Sequence, residues 1–164
     1  MTARVSISRI LAAPADDVFA TITDVAQLPQ WNAAITGVIQ QPDRLEAGAE
    51  WIVEMHAFGR TWHSRSVVEA LDPNGGCFAY RSMTDDGNPS YALWTWFVAE
   101  HPDGSLVTVA AEFHPHTFWR RVLLMRIRCR QLARAELVHS LVALEGAANS
   151  SRCAKPAAIN GDDS

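Results

Sequence analysis

Long apolar runs are missing from this chain of 164 residues: nowhere do ~20 apolar residues follow one another, so no membrane-crossing helix is expected. Charge is also scarce, at 20% of residues and a net −4, while 48% are hydrophobic. That balance excludes a disordered polar chain, because enough apolar surface exists to offset the entropy of ordering. Only three cysteines occur, Cys77, Cys129 and Cys153, far apart and without CxxC spacing. Neither a disulfide framework nor a zinc site is expected from them, and no metal is assigned. The first residues lack the apolar block of a secretory signal, so the cytoplasm is the expected location. There is no phosphate-binding glycine loop, no dinucleotide fingerprint, no Ser-His-Asp order and no pair of catalytic carboxylates. No cofactor is therefore expected, and whether the chain is an enzyme stays open.

What the chain does have is tryptophan, six in a short sequence. Large flat side chains in that number point to a core or pocket built from aromatic walls. It also has a basic run, Arg120, Arg121, Arg126, Arg128, Arg130 and Arg134, which leaves a body near −10. A mildly acidic body does not suit nucleic acid, which is excluded as a partner.

Periodicity gives the order of elements. Val5 to Leu11 alternates as a strand and stops at Pro14, where a helix begins with Asp16 and Asp17 in its first turn. A second helical turn fits Val25 to Trp31, and Ile35 to Ile39 resumes as strand. Glu50 to Phe58 and Thr61 to Ala70 read as a hairpin around Gly59-Arg60, a two-residue II′ turn. That centre pairs Met55 with Ser64, Val53 with Ser66, Trp51 with Val68 and Ala57 with Trp62 on an inward face. The other face pairs His56 with His63 and Glu54 with Arg65. Strands follow at Cys77 to Ser82, Tyr91 to Glu100 and Leu106 to Phe113, with Thr84 to Ser90 as a loop. Thr117 to Glu145 holds neither Gly nor Pro and reads as one long helix with an apolar stripe through Val122, Cys129, Ala133, Leu137, Leu141 and Leu144. These elements predict an α+β helix-grip fold: a curved antiparallel sheet of about seven strands wrapped around a long C-terminal helix, with two short helices after the first strand. The domain is expected to cover 1–146, with 147–164 as a disordered tail.

The stretch Ala12-Ala13-Pro14-Ala15-Asp16-Asp17-Val18-Phe19, with Thr23-Asp24 and Leu28-Pro29-Gln30-Trp31-Asn32, resembles the START-related SRPBCC superfamily. Within it the chain is similar to the polyketide cyclase/dehydrase and lipid-transport group, of birch-pollen-allergen-like fold. Gly59-Arg60, Val67-Val68-Glu69-Ala70-Leu71-Asp72-Pro73, Gly104 to Thr108 and Leu137 to Glu145 carry the resemblance onward. One departure is Ser105-Leu106, where many relatives carry Thr-Arg. The resemblance implies a cavity for hydrophobic molecules, and in some members cyclisation or dehydration of aromatic polyketides.

Candidate residues follow from the inferred inward faces. Trp51, Trp62, Phe78, Trp94 and Trp96 would form aromatic walls, with Val53, Met55, Phe118 and Met125 beside them. Ser64, Ser66 and Tyr80 are the polar handles, Tyr80 also being the candidate proton donor if the chain is a cyclase or dehydratase. Arg126 projects within the apolar stripe and would favour an anionic group on the ligand. His56, His63 and Glu54 belong to a polar outer face, and His114 and His116 to a strand-to-helix junction. The expected partner is a small hydrophobic ligand such as a lipid, polyketide or aromatic. Stable membrane insertion is not expected, and a homodimer is left open. An Arg-rich helix face acting as a non-catalytic interaction module is the remaining alternative.

Overall fold

A computed structural model of the chain describes residues 3–57, 59–116 and 137–154. Strand β1 (Ala3–Leu11) leads into helix α1 (Ala15–Thr23), a 3-10 turn (Val25–Gln27) and helix α2 (Leu28–Trp31). Six strands follow: β2 (Ile35–Gln40), β3 (Glu50–Ala57), β4 (Arg60–Asp72), β5 (Cys77–Thr84), β6 (Tyr91–His101) and β7 (Gly104–His114). Helix α3 (Leu137–Ala154) comes last. The strands form one seven-stranded sheet in the order β1-β7-β6-β5-β4-β3-β2, with every neighbouring pair antiparallel. This is the helix-grip α+β fold.

The local causes are visible in the residues. Pro14 precedes α1 at φ −58, close to the angle its ring imposes, and Asp16 and Asp17 sit where the helix dipole favours carboxylates. Asp24 ends α1 and starts the next turn, its Oδ1 accepting from the Ala26 N–H at 3.1 Å. Period-two alternation then buries one face of each strand. Val107, Val109 and Ala111 are fully buried on β7, and Trp96 and Val98 nearly so on β6. That inner face packs with Val18 and Ile22 of α1, Leu28 and Trp31 of α2, and Leu137, Leu141 and Leu144 of α3.

Two expectations change. The β3–β4 hairpin is not centred on Gly59-Arg60: Ala57 faces Arg60 and Met55 faces Trp62. Gly59 takes the second central position with φ 68, a conformation most side chains resist. The register therefore slips by two. Since side chains alternate with period two, an even slip leaves every residue on its expected face. The individual pairs do change: Trp51 faces Ser66, Val53 faces Ser64 and Glu54 faces His63. His56 faces Thr61, with its Nδ1 3.0 Å from Thr61 Oγ1, so the expected histidine pair does not form. Arg65 bonds Glu50 and Asp85 instead of Glu54.

The second change is at the last helix. It continues to Ala154, past the expected end at Glu145, and Ala148 is fully buried in the core. Residues 147–154 are therefore helix and not tail. The expected helical stretch 117–136 and the end of the tail, 155–164, lie outside the described residues.

Candidate functional site

The inner face of β3 to β7 carries a continuous aromatic row. Trp51 on β3 meets Tyr80 edge-on at 5.1 Å and lies against Phe78 at 6.2 Å. Phe78 and Tyr80, two apart on β5, are 5.3 Å from each other. Tyr80 stacks on its cross-strand partner Trp94 at 6.5 Å, and Trp94 meets Phe113 of β7 at 6.3 Å. Trp96, opposite Phe78, takes the edge of Trp31 from α2 at 5.5 Å. Alternation on β5, β6 and β7 places their rings side by side, with cross-strand neighbours ~5 Å apart at Cβ, and Trp51 reaches them from β3 across β4.

Beside the row lies a block of hydroxyls. Ser64 and Ser66 of β4 face Thr84 and Ser82 of β5 across the strand pair. Ser64 Oγ donates to the Met83 carbonyl oxygen at 3.2 Å, and Trp94 Nε1 donates to Ser82 Oγ at 3.1 Å. Thr84 Oγ1 turns toward the loop and donates to Asp86 Oδ1 at 2.7 Å. Ser64 and Ser66 are buried, 9% and 3% exposed. Burial pushes the Tyr80 hydroxyl up to about 12, with a smaller opposing effect of the Trp96 indole N–H. Ionising the phenol there would strand a charge among rings, so Tyr80 stays a neutral donor at physiological pH.

Of the expected site residues, Trp51, Val53, Met55, Trp62, Ser64, Ser66, Phe78, Tyr80, Trp94 and Trp96 all lie on this one face. Trp62 faces Met55 near the hairpin tip, both half-buried. Phe118, Met125 and Arg126, and the arginine face of 120–134, fall outside the described residues. Sequence reasoning missed Ser82 and Thr84. The period that carried Phe78 and Tyr80 inward runs through both: Ser82 lay within the expected strand without being counted as a site residue, and Thr84 fell in the expected loop. Phe113, which closes the row on β7, was not among the expected wall residues.

The opposite face is of another kind. Glu112 pairs with Arg4 at 3.5 Å, Arg81 with Glu69 at 3.1 Å, and Arg65 with both Glu50 and Asp85 at 2.8 and 3.1 Å. Tyr91 stacks on His114 at 4.5 Å under the Arg81 guanidinium. Among the described residues, no three His, Cys, Asp or Glu side chains are placed to hold a metal ion. Two surface hollows occur there too. One of about 420 Å³ lies between the end of α1 and Gln41 to Leu45, and another of about 260 Å³ lies between α1 and the turn at Pro73 to Gly76. Neither touches the aromatic row. No helix of the described residues is long and apolar enough to cross a membrane.

Comparison with known proteins bears on the whole chain. The sequence profile of the family described as polyketide cyclase / dehydrase and lipid transport matches residues 2–144. No curated protein matches. Among solved structures, Ara h 8.0201 superposes with a TM-score of 0.70 at 17% identity, over 92% of this chain and 99% of that one. The protein CV1439 from Chromobacterium violaceum gives 0.66 at 21% identity, over 87% and 94%. The di-domain ARO/CYC StfQ from the steffimycin biosynthetic pathway gives 0.73 at 12% identity. There this chain is covered over 93% and StfQ over 52%, a share that one of its two domains would fill. At these identities the likeness is one of fold.

Proposed function

Since the chain belongs to the polyketide cyclase/dehydrase and lipid transport family, we propose that it binds and carries a small hydrophobic ligand between the sheet and the C-terminal helix. The observation that carries this reading is the unbroken aromatic row from Trp51 to Phe113 on the inner face. A core needs only to be filled, and aliphatic side chains fill it well. A row of flat rings bordered by hydroxyls supplies more: a surface for a flat apolar body and a fixed edge for its polar end. In this reading Trp51, Val53, Met55, Trp62, Phe78, Trp94 and Trp96 hold the body, and Ser64, Ser66 and Tyr80 orient the polar end. Phe118, Met125 and Arg126 are proposed to complete the site.

A second reading, cyclisation or dehydration of a polyketide on the same face, draws on the family description and on Tyr80. With its proton held up to about 12, Tyr80 would donate a hydrogen bond to a carbonyl oxygen and polarise it, while the walls folded a flexible chain. Turnover would then fall in Tyr80→Phe with ligand affinity nearly kept.

The carrier reading is tested by native mass spectrometry of freshly purified protein, together with a titration of tryptophan fluorescence by fluorene. The expected results are an apolar co-purified compound or saturable fluorene binding, weakened roughly tenfold in Trp94→Ala. Protein that is empty and also refuses fluorene overturns it.

A further inference from the structure

The two faces of the sheet divide charge completely enough to constrain the ligand. The outer face carries Arg4, Glu50, Arg65, Glu69, Arg81 and Glu112 in ion pairs. On the inner face, Arg9, Arg60 and Glu100 share the inward alternation, but all three are exposed, at the edge strand β1, at the β3–β4 hairpin tip and at the end of β6. Between them every described inward side chain of the strands is uncharged, and what polarity there is comes from hydroxyls and indoles.

Those groups have capacity to spare. No hydrogen bond among the described residues engages the Ser66 hydroxyl, although it is 3% exposed and faces Ser82 directly. Ser82 Oγ accepts from Trp94, which leaves its own hydrogen free to donate. Among the described residues the buried indole N–H of Trp31 has no hydrogen-bond partner, and that of Trp96 acts only on the Tyr80 hydroxyl, without a hydrogen bond of good geometry. Their edge-on contact lets at most one N–H rest on the other's ring, a weak substitute. Buried polar groups are normally satisfied, so these spare donors, on the wall and facing it from α2, call for an acceptor.

We infer that the inner face selects an uncharged, oxygen-bearing ring compound over both a plain hydrocarbon and a carboxylate. The inference rests on the ligand-burying reading above. A ketone or ether oxygen would take hydrogen bonds from Ser66, Ser82 or Tyr80 while its rings lay on Trp51 and Trp94. A carboxylate would bring a full charge onto a wall whose described residues supply no counter-charge, which is far more costly than leaving a neutral oxygen there. Tyr80 reinforces the choice, since the neutral phenol donates to a carbonyl and offers no positive charge to an anion.

Three probes on one skeleton separate the possibilities: fluorene, fluorenone and fluorene-9-carboxylate, titrated against the full chain at pH 7. Fluorenone should bind roughly three- to tenfold more tightly than fluorene for each hydrogen bond formed. The carboxylate should bind more than about 100-fold more weakly than fluorenone. In Ser66→Ala and Ser82→Ala, exchanges small enough to leave the sheet intact, the fluorenone advantage should shrink while fluorene affinity holds. Equal affinities for fluorene and fluorenone would overturn the inference and leave the ligand-burying reading standing. Tightest binding by the carboxylate would also overturn it, in favour of the anion expected from Arg126. Binding of none of the three would overturn both.

Discussion

One sheet presents two surfaces that share a backbone and almost nothing else. Its inner face stacks Trp51, Phe78, Tyr80, Trp94 and Phe113 against neutral serines. Its outer face, one residue away along every strand, binds Arg65 to Glu50 and Asp85 and Arg81 to Glu69. The outer ion pairs are partly exposed, with Arg4 at 66%, and pairs in contact with water contribute little. The inner rings exclude water over most of their area, so they dominate stability, and in the proposed reading they supply the recognition surface as well. Structure and function therefore compete for the same wall. The outer face is left to tie down loops, as Arg65 does for Asp85.

The sharpest way to test this contrast is to truncate one residue on each side. Trp96→Ala removes a side chain 3% exposed, and a loss of about 3–5 kcal/mol in urea unfolding is expected. A loss under ~1 kcal/mol would mean that the wall is not packed as described.

An intermediate effect is expected from pH. The folded chain keeps the Tyr80 proton to about 12, whereas an unfolded tyrosine loses it near ~10. Below pH 10 both states are protonated and this stabilisation is fully present. Between 10 and 12 the unfolded state binds fewer protons, so stability falls as pH rises. The fall should be on the order of 2 kcal/mol larger in the parent than in Tyr80→Phe, read by unfolding curves across that window. Parallel curves would place Tyr80 in water.

The smallest effect belongs to the outer face. Arg4→Ala breaks the 3.5 Å pair with Glu112, and a change below about 1 kcal/mol is expected in the same urea assay. A loss as large as that of Trp96→Ala would erase the distinction between the faces.

Much of this was legible before any coordinates. Alternation in Tyr91 to Val98 placed Trp94 and Trp96 inward, because a strand with one buried face has no freedom to slip by one. The hairpin centre was misjudged because Gly59 suits either central position of a two-residue turn, and only cross-strand packing chooses. The error was harmless to the site because it was even. A bulge between Val68 and Ala70 was invisible for a similar reason: Glu69 and Ala70 are both exposed there, so the apolar pattern loses its beat. The end of α3 was set too early by Gly146, a residue that weakens helices, yet burial of Ala148 carries the helix through it. Thr84 was missed because turn residues after it spoke louder than the period that included it, and Ser82, inside the expected strand, because a lone serine carries no signal of its own.

Two methionines on opposite faces offer the most direct test of where a ligand sits. Met55 lies on the inner face opposite Trp62, and Met83 on the outer face opposite Arg65. With methionine methyl groups labelled with carbon-13 and assigned by Met55→Leu and Met83→Leu, fluorenone should shift the Met55 methyl signal progressively and leave Met83 in place. Movement of Met83 with Met55 unmoved would contradict binding on the aromatic wall.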